Sequence, residues 1–158
     1  MKKIVNLVLF AASFSAAIAQ KTVNDPNAEK RNVSGFHGID VATGINLVLT
    51  KGDIEEVAVS ASKTEYRDKI ITEVKNGILE IHYETRLGAI NKKKESKDLK
   101  AYVSYKSLDK LDVTSGAEVE INGVLTSASF TLQANTGGLV NGALSAARIA
   151  LTSTGERT

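Results

Sequence analysis

The residues of this chain best suited to chemistry are two histidines, His37 and His82, and two alternating acids, Glu118 and Glu120. Histidine is the commonest metal ligand and general base, but a zinc site needs three or four clustered ligands. Neither histidine has a second one at ligand spacing, so both read as ordinary surface or half-buried side chains. Glu118 and Glu120 flank Val119, which puts both carboxylates on one face of a strand, near Asp112. Such a pair could serve glycoside hydrolysis or hold calcium. The acids do not recur farther along the chain, and the bland reading is two solvated acids on an outer face. Many serines are present, yet the Gly-x-Ser-x-Gly elbow, the Gly-x-Gly-x-x-Gly loop and the Walker loop are all missing. No catalytic, metal-binding or cofactor-binding residue set emerges, and the expectation is a non-enzymatic protein with no cofactor.

The segments that would carry these side chains begin with an export signal. Lys2 and Lys3, an apolar run from Ile4 to about Ala17, and Ala17 and Ala19 around Ile18 follow the order of a secretory leader. The predicted signal peptide is 1–19. The run is too short and too interrupted, by Asn6, Ser13 and Ser15, for a membrane anchor, and no later stretch is long enough to span. The expected location is the periplasm, the outer-membrane surface or the extracellular medium.

The whole chain carries 20 basic and 18 acidic residues, and the two leader lysines account for the whole excess. A neutral remainder has no global field to attract nucleic acid. Absence of cysteine leaves packing and backbone pairing to hold an exported fold together and removes thiol chemistry.

Residues 20–35 are polar, contain Pro26, and read as an N-terminal linker. Residues 36–158 read as one all-β domain. Ile39 and Val41, then Ile45, Leu47 and Leu49, then Val57 and Val59 are apolar at period two, which predicts strands. Asn76-Gly77 between the alternating runs Ile70–Lys75 and Ile78–Tyr83 predicts a hairpin. Residues 86–110 carry eight basic residues, from Arg86 to Lys110, with Lys92, Lys93 and Lys94 among them. They would form an anion or acidic-glycan patch in one reading and a solvated loop beside a strand edge in the other; charge runs are usually solvated.

No charge occurs from Ile121 to Ala147, and a gap-free shift of 19 residues lays this part of the chain on itself. Leu111 falls on Phe130 and Ile149; Val113 falls on Leu132 and Leu151; Leu125 falls on Leu144. Asn122-Gly123 falls on Asn141-Gly142. Gly116 and Gly137-Gly138 would form the opposite corner. A period of about 20 residues with β-type apolar spacing predicts a right-handed parallel β-solenoid or β-helix, preceded by antiparallel strands and the hairpin. Its outward faces would carry Thr114, Ser115, Gln133, Asn135, Thr152 and Ser153, a polar ladder and candidate binding face. The last coil stops at Thr158 without a cap, so the expectation is a C-terminally incomplete domain, or self-association through the open end.

Arg31-Asn32-Val33-Ser34-Gly35-Phe36-His37-Gly38-Ile39-Asp40-Val41, then Gly44-Ile45-Asn46-Leu47-Val48-Leu49 and Lys51-Gly52-Asp53, resemble the head GIN domain family, labelled "putative auto-transporter adhesin". Asn76–Ile81, Ala101–Leu108 and Ser115-Gly116-Ala117 extend the resemblance. It implies a β-solenoid domain in exported proteins of Bacteroidetes-type bacteria, with no catalytic residues to carry over. The functional expectation is an exported envelope or surface binding module presenting its Ser/Thr/Asn face to a glycan or surface protein. A polysaccharide-degrading β-helix enzyme and a structural envelope scaffold are the alternatives.

Overall fold

A computed structural model describes residues 24–85 and 95–154. The leader at 1–19, and Arg86 with Lys92, Lys93 and Lys94, lie outside the described residues.

The described residues form ten strands and one helical turn: β1 (Glu29–Arg31), β2 (Gly38–Val41), β3 (Asn46–Lys51), β4 (Glu56–Ser60), α1 (Thr64–Arg67), β5 (Ile70–Lys75), β6 (Ile78–Tyr83), β7 (Lys100–Tyr105), β8 (Lys110–Val113), β9 (Glu118–Asn135) and β10 (Leu139–Thr154). The period-two apolar residues are the core: Ile39, Val41, Ile45, Leu47, Leu49, Val57 and Val59 are all essentially without solvent contact. Each such side chain contributes about 1.5–3 kcal/mol when fully buried. β5 and β6 form the predicted antiparallel hairpin. Asn76 and Gly77 both have positive φ, 51° and 76°, the conformation of a type I′ turn, whose twist matches that of the flanking strands.

The expected right-handed parallel β-solenoid is not what forms. Among the described residues three pairings are antiparallel, β1 with β4, β4 with β7, and β5 with β6. The others are parallel, and all ten strands join one mixed sheet that is nearly closed, like a barrel. In a solenoid successive coils are neighbours. Here β2 lies between β6 and β8, and β3 lies between β7 and β9, so the earliest turn of the chain sits in the middle. The reason is burial: the inward side chains of β2 and β3 are wholly apolar, and both edges of each strand must be covered to enclose them.

β9 closes the sheet. Its first residues pair with β3, through Leu47↔Val119, and its last with β8, through Leu111↔Leu132. The two rows of strands, β5-β6-β2-β8 and β1-β4-β7-β3, thereby become one surface around a common core.

The register also corrects the 19-residue alignment in its first half. Leu111 faces Leu132, not Phe130; Val113 faces Ala134; Val119 faces Val140. After a register shift between Asn141 and Ala143 the remaining pairs fall as read, with Leu125↔Leu144, Phe130↔Ile149 and Leu132↔Leu151. A gap-free shift cannot represent a stack whose step changes at a bulge. Gly123 and Gly142, with φ of 88° and 141°, lie inside β9 and β10 beside that shift.

Within the segment read as a linker, Glu29–Arg31 is a strand. Three residues are too few for a periodic signal, and the pairing is supplied by distant β4.

Candidate functional site

Strand alternation puts every second residue of the row β7-β3-β9-β10 on its outer side. Register then aligns these residues in rungs. Lys100, Asn46, Glu118 and Leu139 form one rung; Tyr102, Val48, Glu120 and Asn141 form the next. All of these but Leu139 line an open depression of about 570 Å³. All of its polar groups stand on paired strands, which fixes their spacing more firmly than a loop would.

Several of these side chains are held in place. The Tyr102 hydroxyl donates to Asp25 Oδ2 at 2.9 Å. Burial and this bond push the phenol up to about 12. Burial of Asp25 works to raise its carboxyl, but hydrogen bonds from Ser60, the Asn27 backbone and Tyr102 outweigh it, and the net shift is downward. Asn141 Nδ2 donates to Glu118 Oε1 at 2.9 Å, and Lys100 Nζ lies 3.0 Å from Asp98 Oδ2. Asn46, Glu118, Glu120 and Asn141 are exposed. The depression therefore offers amide donors and acceptors, two carboxylates and the edge of a phenol. That set can hydrogen-bond a ligand rich in hydroxyl groups.

It does not assemble the acids of a hydrolase. Asp112 stands in the other row, in register with Asp40 and Gln133, while Glu118 and Glu120 are in register with β3 and β10. The three carboxylates do not meet in one cleft. Among the described residues no group of three or more His, Cys, Asp or Glu is arranged to hold a metal ion. His37 Nδ1 pairs with Asp109 Oδ1 at 2.8 Å on the surface, and His82 is half-buried in β6.

The predicted polar ladder is divided by the register. Gln133 faces Thr152 on neighbouring strands. Asn135 belongs to the same outward set, and its Oδ1 accepts from the Thr154 backbone and hydroxyl at 2.9 and 2.6 Å. Thr114 follows β8, and Ser115 occupies the corner beyond it with φ 51°. Ser153 aligns with Ala134 and Val113, the inward positions.

Sequence reasoning missed one arrangement altogether. Glu73, Glu80, Asp40 and Asp112 stand side by side on β5, β6, β2 and β8 as one rung of carboxylates. Each acid alone is an unremarkable outward residue, and no local signal could have joined them.

A family model described as "Putative auto-transporter adhesin, head GIN domain" matches residues 35–157. Among solved structures, the chain is similar to a "putative adhesin" from Parabacteroides distasonis, with 21% identity, TM-score 0.68, and 81% of this chain and 52% of that one covered. A "putative adhesin" from Parabacteroides merdae gives 13% identity and TM-score 0.65, over 80% of this chain and 51% of that one. A "putative lipid binding protein" from Parabacteroides distasonis gives 18% identity and TM-score 0.55, over 80% and 61%. These likenesses establish the fold. The chain spans about half the length of the two adhesin structures. No curated protein matches it. Among the described residues no helix is long and apolar enough to cross a membrane.

Proposed function

The chain belongs to this head GIN domain family, and on that premise we propose that it is a non-catalytic binding module of the cell envelope or surface whose ligand is a hydroxyl-rich glycan. The observation that carries the proposal is the outer depression of the β7-β3-β9-β10 row, where Asn46, Glu118, Glu120 and Asn141 present hydrogen-bonding groups beside Tyr102. Lys100 is engaged by Asp98, so the two glutamates give the depression an acidic character. Neutral or amino-bearing sugars fit it better than acidic ones. The family's adhesin label supports a binding role at an exported location.

A glycan array probed with the full chain tests this reading. Binding should fall at least about tenfold in Asn46→Ala and in Glu120→Ala, with the circular dichroism spectrum unchanged. Absence of glycan binding, with a protein partner co-purifying instead, would move the assignment to protein recognition. The ladder of Thr114, Ser115, Gln133, Asn135, Thr152 and Ser153 is the second candidate face, supported by the neighbouring Gln133 and Thr152 side chains. Loss of binding in Gln133→Ala combined with Thr152→Ala, but not in Asn46→Ala, would select it.

β10 pairs only with β9 among the described residues, and its own Ile149 and Leu151 are 45% and 70% exposed. An unpaired apolar edge favours addition of another strand, and a second copy of the chain is the proposed donor. Sedimentation equilibrium over a range of concentrations tests this, with a strict monomer as the refuting outcome.

A further inference from the structure

The carboxylate rung across the other row of strands has an unequal distribution of partners. Glu80 on β6 takes Lys75 Nζ at 3.0 Å, and the same lysine bridges to Glu73 on β5. Asp112 on β8 takes Lys110 Nζ at 3.0 Å through Oδ2. Its Oδ1 is buried and has no hydrogen-bond partner. Asp40 stands between them on β2, in register with Glu80 on one side and Asp112 on the other. Neighbouring strands are about 4.8 Å apart, so the half-buried Asp40 carboxyl has a like charge at strand spacing on each side. No ion pair or hydrogen bond is made by its own carboxyl among the described residues.

We propose that this rung is a pH-sensitive joint of the sheet, in which Asp40 takes up a proton and shares it with the unpartnered Oδ1 of Asp112. Deprotonated, the rung sets Asp40 against both neighbours across β6-β2-β8. Protonated, it removes that repulsion and supplies a donor to a buried acceptor. The joint lies at the centre of the row, where β2 is held on both edges, so its strain acts on the core strands rather than on a fraying end.

The other charged groups facing Asp40 do not cancel this. From β6 come Glu80 and His82, and from β8 come Lys110 and Asp112. Beyond β6, on β5, Lys75 is already divided between Glu73 and Glu80. Thr131 and Gln133 of β9, beyond β8, carry no charge. His37 and Asp109 precede β2 and β8 and pair with each other. Burial is the largest influence on Asp40, followed by Asp112 and then Glu80, all raising it above the ordinary 3.8, while Lys110 and His82 oppose them. The folded chain therefore binds this proton more tightly than the unfolded chain does. The stability gained from it is complete below about pH 4 and is lost as pH rises through the raised value.

Two measurements on the full chain test the proposal. Carboxyl-carbon NMR of the wild-type protein should give Asp40 a titration midpoint above 3.8. In Asp112→Asn, which keeps an acceptor but removes the charge, the midpoint should fall. A wild-type midpoint at or below 3.8, or one unmoved by Asp112→Asn, overturns the proposal. In urea, Asp40→Asn should have the higher midpoint at about pH 8, with the difference shrinking by roughly half or more at about pH 4. A difference that stays constant, or grows toward acid, also overturns it. The wild-type NMR titration stands by itself should the variant fail to fold.

Discussion

Gly44 donates its backbone N–H to the carbonyl of Ser115 at 3.0 Å, and Gly116 repeats the contact to Thr136 at the same distance. Three corners are thereby stacked: Thr43-Gly44 between β2 and β3, Ser115-Gly116 between β8 and β9, and Thr136-Gly137 between β9 and β10. Each has two successive residues of positive φ. This column of left-handed corners is what turns each strand of one row into a strand of the other. It satisfies backbone donors that a free turn would leave to water.

Two glycines at this column should respond differently to alanine. Gly116 has φ +73° and nothing within 4 Å of a Cβ, so Gly116→Ala costs only the left-handed conformation, about 1–2 kcal/mol. At Gly138 a Cβ would collide with the Val113 carbonyl oxygen and lie 2.8 Å from its carbon. Backbone cannot rotate aside as a flexible side chain can, so Gly138→Ala should cost more, about 2–3 kcal/mol. Urea unfolding of both variants checks the order, and equal losses would refute the close-packed corner.

Tyr105 is 1% exposed and its hydroxyl has no partner among the described residues. Burial alone raises its phenol above the ordinary 10.0. An unsatisfied buried hydroxyl costs about 1–3 kcal/mol. Tyr105→Phe is therefore expected to be neutral or stabilising, a reversal of the usual loss for a core substitution. Phe130, equally buried at 1%, supplies the contrast, because Phe130→Ala should cost about 3–5 kcal/mol. Thermal and urea unfolding of the pair decide it, and a clear loss in Tyr105→Phe would reveal a hydrogen-bond partner.

Tyr102 should ionise late, near its raised value of about 12. Burial is the larger cause and the bond to Asp25 the second, so Asp25→Asn should lower the midpoint toward 10 without reaching it. Because the folded phenol holds its proton more tightly than the unfolded one, its stabilisation is complete below pH 10.0 and is lost as pH rises toward 12. Asp25 has the opposite sign: its folded carboxyl lies below 3.8, and the stability it contributes disappears as pH falls through that lowered value. Ultraviolet phenolate titration, with Tyr102→Phe to assign the late step, provides the check. A Tyr102 midpoint of 10 in the wild type would contradict the Asp25 contact.

Much of the local structure was legible in the residues. Period-two apolar spacing marked Ile39, Val41, Leu47 and Leu49 as buried, because alternation alone decides which side of a strand is wet. Asn76-Gly77 marked the hairpin, because few residue pairs accept two positive φ values in succession. The family resemblance was carried by runs around the early corners and strands, and the family match confirms it. Leu125↔Leu144 and Phe130↔Ile149 were also found correctly, since beyond the shift at Asn141/Ala143 the strands neighbour one another at a constant step.

The sequence by itself determined strands, faces, the hairpin and the family. Tertiary structure alone decided how the remaining strands neighbour one another: that β2 and β3 sit in the centre, that β4 runs antiparallel between β1 and β7, and that Asp40 meets Glu80 and Asp112. Alternation is a property of one segment and is written in consecutive residues. Pairing is the choice among distant segments that best closes apolar edges around a common core, and no single segment contains that choice.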